Sequence, residues 1–397
     1  MEDPRERLTK CASTNELERR WKAIRDMMRE RELDYLLIQN SEEFLGGTLR
    51  WFSDFTARHQ FPMTIIFPVD DEMTLINCGG DIREMQPFPP PWAARGIKNR
   101  FGAVYFPTIN YTNTLDAEIA VDVLKEKKKA KIGLVERAFI PITFYEYLVK
   151  HLPDATFVDA TEWVHEIMAI KSPEEIEMIK ATAALQDGVM EHLKKTIKPG
   201  MKDLDVYSEA HWFASKNGSE RGLVQVNSGP LGTMVPFDVY HYQNRVIKEG
   251  DQVSVLIEVN GPGGYYCEIM RIFIVGKEPS QDLKDAFAVC VEAQEMTFKR
   301  LKPGENPKEL WDMNKEFLVK NGYFPPVRLY AHGQGLSLVE RPLLRANEPW
   351  KLKAGMNITV HPSAARKDVW AIVCDNFIIK EDGAEKLHKF PREIIVV

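Results

Sequence analysis

The chain has 397 residues, enough for two domains that each bury a core of their own. Hydrophobic residues make up 44% and charged residues 28% of it, and its formal net charge is −6 with no basic run. This balance is typical of a globular protein and argues against nucleic acid or an anionic membrane surface as the main partner.

The N-terminal sequence is MEDPRERLTK, which lacks the apolar segment of a signal peptide. No apolar run approaches the roughly 18 to 20 residues that a membrane-spanning helix needs. The five cysteines are scattered without CxxC spacing, so we expect free thiols rather than a disulfide framework or a zinc ribbon. These features predict a cytoplasmic protein without a membrane partner.

The first part of the chain alternates between helix-like and strand-like segments. Helical periodicity runs from about residue 15 to 35. Short apolar segments that read as strands follow it, namely DYLLIQN, PMTIIFP, EMTLINC, KIGLVE and ATFVDA. This alternation predicts an α/β domain, which we place at residues 1–167.

The second part, residues 168–397, begins with a helix signal. Ser172 can cap the helix, Pro173 suits its first turn, and Glu175 completes a capping box. Further on, IKPG and LKPG each precede a helix-like segment that ends in Lys-Asn-Gly. The offset along the chain between the two Pro-Gly motifs equals the offset between the two Asn-Gly motifs. We therefore expect an α+β domain built from two similar halves.

Four segments of this second domain carry polar residues in strand-like or turn sequence. They are IEVNGPGGYYCEIMR with Glu258 and Glu268, RLYAHGQGLSLVERP with His332, AGMNITVHPS with His361, and VWAIVCDNFII with Cys374 and Asp375. A lone histidine or glutamate of this kind is more often a hydrogen-bonded core residue than a functional one. Several together are costly to bury unless they pair, bind a metal or react, so they define a candidate site.

The order of these motifs, from IKSPEE through GGYYCEIMR, AHGQGLSLVERP and AGMNITVHP to EDGAEKL, resembles the superfamily of creatinase, prolidase, aminopeptidase P and methionine aminopeptidase. The resemblance covers essentially the whole chain. It implies an α/β creatinase-type N-terminal domain and an α+β pita-bread C-terminal domain with an internal pseudo-twofold repeat. It also implies a homodimer.

The residues depart from the set that binds two divalent metals in the metallopeptidases of this superfamily. The resemblance places Glu268, His332, His361 and Cys374 at four of the five ligand positions. Ile257 falls at the fifth unless the bend is one residue shorter, in which case Glu258 takes its place. A shift of one residue turns a strand side chain to the other face, so Glu258 needs a bulge or an altered bend to point inward. An imidazole and a thiol at positions where the metallopeptidases have carboxylates also remove the negative charge that two hard cations need. A dinuclear centre is therefore not expected.

The first hypothesis is a hydrolase of creatinase type that needs no metal or other cofactor. It would cleave a C–N bond of a small zwitterionic or amide-containing molecule by acid-base catalysis. His332 or His361 would transfer the proton, while Glu258 and Glu268 would recognise the substrate or position water. The resemblance also points to His241 as a proton-transferring histidine if a short deletion is allowed.

The second hypothesis keeps one transition metal ion, iron, zinc or nickel. Glu268, His332 and His361, with Glu258, Asp375 or Cys374, form a ligand set that suits such an ion better than calcium or magnesium. That site would serve a hydrolase, or a lyase like the superfamily member that cleaves dimethylsulfoniopropionate. The changed ligands argue against an ordinary Xaa-Pro peptidase. A third hypothesis is a non-catalytic binding protein, since the superfamily's fold has been reused in that way.

The substrate pocket is predicted from residues in both domains. The segment RWFSDFTARHQF offers aromatic and cationic side chains that fit a carboxylate and an apolar or quaternary-ammonium body. The resemblance places this segment over the cleft of the partner subunit. The candidate substrate-binding residues are Arg58, His59, Phe61, His241, Tyr330, Glu340, Arg341 and Cys374.

Overall fold

The computed structural model of the chain describes residues 10–56, 61–82, 93–237 and 244–397. These residues divide into two compact units, Cys11–Met168 and Ala169–Val397. Within the described parts of the chain, every helix is too short or too polar to cross a membrane.

The first unit is a sheet with helices packed against it. Its helices are α1 Thr14–Glu30, α2 Gly47–Ser53, α3 Leu115–Leu124, α4 Ile142–His151 and α5 Thr161–Met168. Its strands are β1 Tyr35–Asn40, β2 Met63–Pro68, β3 Met73–Cys78, β4 Ile97–Ala103, β5 Lys131–Val135 and β6 Thr156–Asp159. The predicted first helix and the five predicted strands are confirmed, and β4 is an additional strand.

The strands of the first unit lie in the order β4-β3-β2-β1-β5-β6. Strand β1 is antiparallel to β2 and parallel to β5, so the sheet is mixed. The Ser13 hydroxyl caps α1 by accepting a hydrogen bond from the Glu16 backbone N–H at 3.1 Å, and Leu17 and Ile24 bury the inner face of this helix. The predicted α/β class of this part of the chain is therefore confirmed.

The second unit contains two pairs of helices and two main sheets. Its helices are α6 Pro173–Thr196, α7 Asp203–Lys216, α8 Gln281–Phe298 and α9 Pro307–Lys320. Its strands are β7 Gly222–Pro230, β8 Asp251–Val259, β9 Ile269–Ile274, β10 Ala331–Gly333, β11 Glu340–Leu343, β12 Asn357–Val360, β13 Ser363–Arg366, β14 Val369–Ile372, β15 Asp375–Lys380, β16 Gly383–Lys386 and β17 Ile395–Val396. The strand orders are β17-β9-β8-β7 and β11-β10-β12-β15-β16, with β13 and β14 forming a separate hairpin.

The two halves of this unit repeat the same local plan. The predicted capping box of α6 is present, with Ser172 and Glu175 exchanging hydrogen bonds. Asn217 and Asn321 are the C-caps of helices α7 and α9, and each is followed by a glycine with positive φ. In each half a helix pair covers one face of a sheet, so the predicted internal repeat is confirmed. The opposite faces of the two sheets carry the candidate site.

Candidate active site

Glu258 and Glu268 form a pair across the β8–β9 hairpin. The last regular pair of this ladder is Ile257 with Ile269, and the isolated bridge between Asn260 and Tyr266 keeps the same register. Glu258 therefore lies directly opposite Glu268, with both side chains on one face and only 7% and 4% exposed. The expected bulge is absent from this hairpin, and the shorter bend alone brings Glu258 to the site.

The glycines of the bend allow this placement. A Cβ atom at Gly261 would collide with Thr182 of α6, and one at Gly263 would collide with Met178 of the same helix. The Thr182 hydroxyl also donates to the Tyr265 carbonyl at 2.8 Å. The bend is thus packed against α6, which fixes where the two carboxyl groups emerge.

His332 and His361 come from neighbouring strands of the second sheet. His332 lies on β10 opposite Thr359 of β12, and His361 follows β12 with its backbone N–H donating to the Tyr330 carbonyl at 2.7 Å. The two imidazole rings meet edge to face with centroids 5.3 Å apart. His332 Nδ1 lies 2.9 Å from the Gly333 carbonyl, which can only accept, so Nδ1 carries the proton and Nε2 keeps its lone pair.

Glu268 joins the two halves of the site. Its Oε2 lies 3.7 Å from His332 Nε2, and one ligand atom from each of Glu268, His332 and His361 lies within 4.8 Å of the others. The Thr359 hydroxyl approaches the same carboxylate oxygen at 3.5 Å. Three of the predicted catalytic residues, one from the first half and two from the second, are therefore brought together.

Burial controls the charge of this cluster. It lowers the pKa of His332 to about 4 and that of His361 well below its ordinary value, so both imidazoles are neutral at pH 7. Burial raises the pKa of Glu268 to about 7, and burial together with the charge of Glu268 raises the pKa of Glu258 well above its ordinary value. The exposed guanidinium of Arg328 opposes both carboxyl shifts. The result is a buried pair of acids that differ in acidity and face two neutral bases.

Cys374 lies beside the carboxyl pair, whereas Asp375 faces away from it. The Cys374 thiol is 3.0 Å from the Thr359 hydroxyl and 3.3 Å from the Glu268 carbonyl, and burial raises its pKa well above the ordinary value. The Asp375 carboxylate instead binds Arg271 at 2.8 Å, with both side chains fully buried. Alternation along β15 and the Arg271 charge turn this carboxylate to the other face, so Asp375 lies outside the group formed by Glu268, His332 and His361.

Three predicted substrate-binding residues have partners elsewhere in the second unit. The Tyr330 hydroxyl donates to the Leu310 carbonyl at 2.8 Å within the core. The Glu340 carboxylate binds Lys171 at 2.6 Å. Arg341 pairs with Glu348 and lies 3.9 Å above the Trp350 ring. These contacts engage the three side chains within the second unit, and their part in binding substrate stays a prediction.

Four other predicted substrate-binding residues are Arg58, His59, Phe61 and His241. Arg58, His59 and His241 lie outside the described residues. Phe61 is described and 48% exposed. Its role in binding substrate stays a prediction.

A neutral polar network that the sequence analysis missed lies behind the carboxyl pair. His388 Nδ1 accepts from the Asn376 backbone N–H at 3.1 Å, which leaves Nε2 to donate to Gln186 Oε1 at 3.0 Å. Gln186 Nε2 in turn donates to the carbonyls of Val259 and Cys267 at 2.8 and 2.5 Å. Gln186 thereby ties the two strands together just beyond the last regular pair of their ladder, next to Glu258 and Glu268.

Comparisons with known proteins agree with this architecture. The model of metallopeptidase family M24 matches residues 177–383, and the creatinase/prolidase N-terminal domain matches residues 20–170. The chain is 30% identical over 244 residues to a probable dipeptidase PepE of Mycobacterium bovis, an alignment that covers 60% of this chain and only 63% of that protein. It is 25% identical over 311 residues to an Xaa-Pro dipeptidase of Pyrococcus horikoshii, covering 75% of this chain and 87% of that protein.

A solved structure supports the fold over nearly the whole chain. An Xaa-Pro dipeptidase from Bacillus anthracis superposes with a TM-score of 0.76 at 23% identity, covering 96% of this chain and all of that one. At this level of identity the likeness concerns the fold. The predicted creatinase-type and pita-bread domains are confirmed.

Proposed function

The chain belongs to metallopeptidase family M24, and from this premise we propose that it is a hydrolase that cleaves a C–N bond of a small zwitterionic or amide-containing molecule. The observation that carries the proposal is the buried pair of Glu258 and Glu268 facing the neutral imidazole of His332. Two acids whose surroundings push their acidities apart can divide the roles of general acid and general base. The family relatives named as dipeptidases act on the same class of bond.

The proposed reaction uses the side chains of this chain for each proton transfer. Glu268, with a pKa of about 7, accepts a proton from the water that attacks the carbonyl or amidine carbon. Glu258, whose pKa is raised by burial and by the charge of Glu268, donates its proton to the leaving nitrogen as the C–N bond breaks. The proton held by Glu268 then returns to Glu258, and His332 Nε2 beside Glu268 provides a second acceptor during the cycle.

A centre with two metal ions does not fit these residues. Cys374 is a neutral thiol, Asp375 is engaged by Arg271, and burial together with the charge of Glu268 raises the pKa of Glu258 and so disfavours its negative charge. The remaining negative charge is too small to hold two divalent cations a few ångströms apart.

A single transition metal ion does fit, and this is the second candidate. Glu268, His332 and His361 present one carboxylate and two neutral imidazoles whose ligand atoms lie within 4.8 Å of one another. Bound there, such an ion would polarise the scissile group of the substrate. The same residues then serve as ligands, and the proposed hydrolase would be metal-dependent.

Metal content separates the two candidates. Protein purified without chelator or tag is measured by inductively coupled plasma mass spectrometry, next to Glu268→Ala and a control, Glu381→Ala, at an exposed turn. About one equivalent of transition metal that is lost only in Glu268→Ala would establish the single-ion site and exclude the metal-free mechanism. Wild-type protein without metal would exclude the single-ion site.

Hydrolysis is tested with the same proteins. Xaa-Pro dipeptides, N-acyl amino acids and guanidino acids are incubated with wild type and both variants, and the release of amine is followed by chromatography. We expect cleavage by wild type and the control, and a loss of at least roughly 100-fold in Glu268→Ala. Cleavage at an equal rate by a folded Glu268→Ala would refute the role of this pair. The homodimer and the cytoplasmic location stay predictions.

A further inference from the structure

A chain of buried amide groups leads from the backbone of Glu268 to the carboxyl group of Glu258. The Glu268 N–H donates to Asn376 Oδ1 at 2.7 Å, and Asn376 Nδ2 donates to Gln334 Oε1 at 2.8 Å. Gln334 Nε2 then donates to Glu258 Oε1 at 2.7 Å. Asn376 and Gln334 are fully buried, so water cannot replace any of these bonds.

The orientation of both amides is determined by the first bond. A backbone N–H can only donate, so the oxygen of Asn376 must face Glu268 and its NH₂ group must face Gln334. The oxygen of Gln334 is then used by Asn376, and only its NH₂ group is left for Glu258. Asn357 holds this arrangement. Its side-chain oxygen accepts from the Asn376 NH₂ group at 3.1 Å, and its own NH₂ group donates to the backbone carbonyl of Gln334 at 3.2 Å.

The Glu258 carboxyl group needs such a partner to hold one position. Glu258 lies one residue beyond the last regular pair of the β8–β9 ladder, and a glutamate side chain has several rotatable bonds. The contact of Gln186 with the Val259 carbonyl fixes the backbone at this point but not the side chain. The bond from Gln334 is what ties the carboxyl group itself to the second sheet.

We propose that Gln334, oriented by Asn376, is a positioning residue that holds the Glu258 carboxyl group in its reactive place beside Glu268. The inference rests on the proposed function, because it assigns a role in the same reaction. This role accounts for a glutamine in the HGQG segment. The backbone N–H of Gln334 already forms the strand contact, donating to the Asn357 carbonyl at 3.0 Å. The polar side chain is therefore not needed for the strand itself.

The test is a crystal structure of Gln334→Met, which keeps the length of the side chain and removes its donor. We expect the Glu258 carboxyl group to move by about 1 Å or to occupy more than one rotamer, and kcat to fall roughly 100-fold with KM changed less than about threefold. Gln39→Met, at a buried glutamine of the first unit, is the matched control and should leave Glu258 and kcat unchanged.

Asn376→Ser is the second variant if Gln334→Met does not fold. The shorter side chain cannot reach Gln334, so Gln334 loses its fixed orientation and Glu258 should again be displaced. A Glu258 carboxyl group that stays in place in either folded variant overturns the inference, whatever the activity. Displacement of Glu258 in a protein that hydrolyses none of the substrates supports the positioning role and refutes only the proposed function.

Discussion

Replacing Glu268 by glutamine should change how stability depends on pH. Burial raises the pKa of this carboxyl group to about 7 in the folded protein, against 4.5 when it is exposed. A raised carboxyl pKa contributes stability that is complete below the unfolded value and is lost as the pH rises through the folded value. The difference between 4.5 and about 7 is about 2.5 units at about 1.4 kcal/mol each, so wild type should lose roughly 3 to 4 kcal/mol between about pH 4.5 and about pH 7 that Glu268→Gln does not lose.

The measurement is equilibrium unfolding in urea, followed by tryptophan fluorescence on chelator-treated protein. The free energy of unfolding of Glu268→Gln minus that of wild type should grow as the pH rises. Glu381→Gln, at the exposed turn between β15 and β16, is the control and should show a difference that is constant with pH. A constant difference for Glu268→Gln as well would refute the inference that burial raises the pKa of Glu268 in the folded state.

Three further predictions concern the surroundings of the site. Arg271→Met should lower the free energy of unfolding by about 3 to 5 kcal/mol because it leaves Asp375 buried without its partner, and a urea midpoint equal to that of wild type would contradict this. Ser172→Ala should cost about 1 kcal/mol through the loss of the α6 cap, seen as a lower Tm, and an unchanged Tm would argue against the cap. A thiol reagent should label at most two of the five cysteines in the native protein and all five in urea, since burial raises the pKa of the other three thiols. Those three are Cys267, Cys290 and Cys374.

The fold could be predicted from the sequence wherever local signals were strong. The capping box at Ser172 and the apolar segments of β1, β2 and β3 each specify their structure without help from the rest of the chain. Strand β4 could not be found in this way, because IKNRFGA has neither alternation nor an apolar run. Its conformation depends on pairing with β3, which is a tertiary contact.

The candidate site was predictable in its residue types and less so in its geometry. His332, His361 and Glu268 stood out as costly groups in strand-like sequence, and they do meet. The position of Glu258 depends on the length of the bend between β8 and β9. The sequence spacing does not determine this length to within one residue. Neutral amides such as Gln334 and Asn376 carry no comparable signal, since their importance comes from partners far away in the chain.

The sequence also leaves open which partner each ionisable residue near these motifs takes. Asp375, Glu340 and Arg341 are ionisable residues close to the motifs, and proximity in sequence suggested that they share the site. Their charges are instead neutralised by Arg271, Lys171 and Glu348. A buried charge goes to the nearest partner in space, and the sequence does not show which one that is.

The way Gln186 ties the hairpin has a consequence for the synthesis of this protein. Gln186 is oriented by His388, which lies 202 positions later in the chain, and the carboxyl groups that it helps to place are matched with histidines from the other half of the unit. A nascent chain that has folded only its first half therefore carries Glu258 and Glu268 without their partners. Catalytic competence should appear late and abruptly during folding, so the onset of activity in a refolding experiment would report the docking of the last strands rather than the formation of the first sheet.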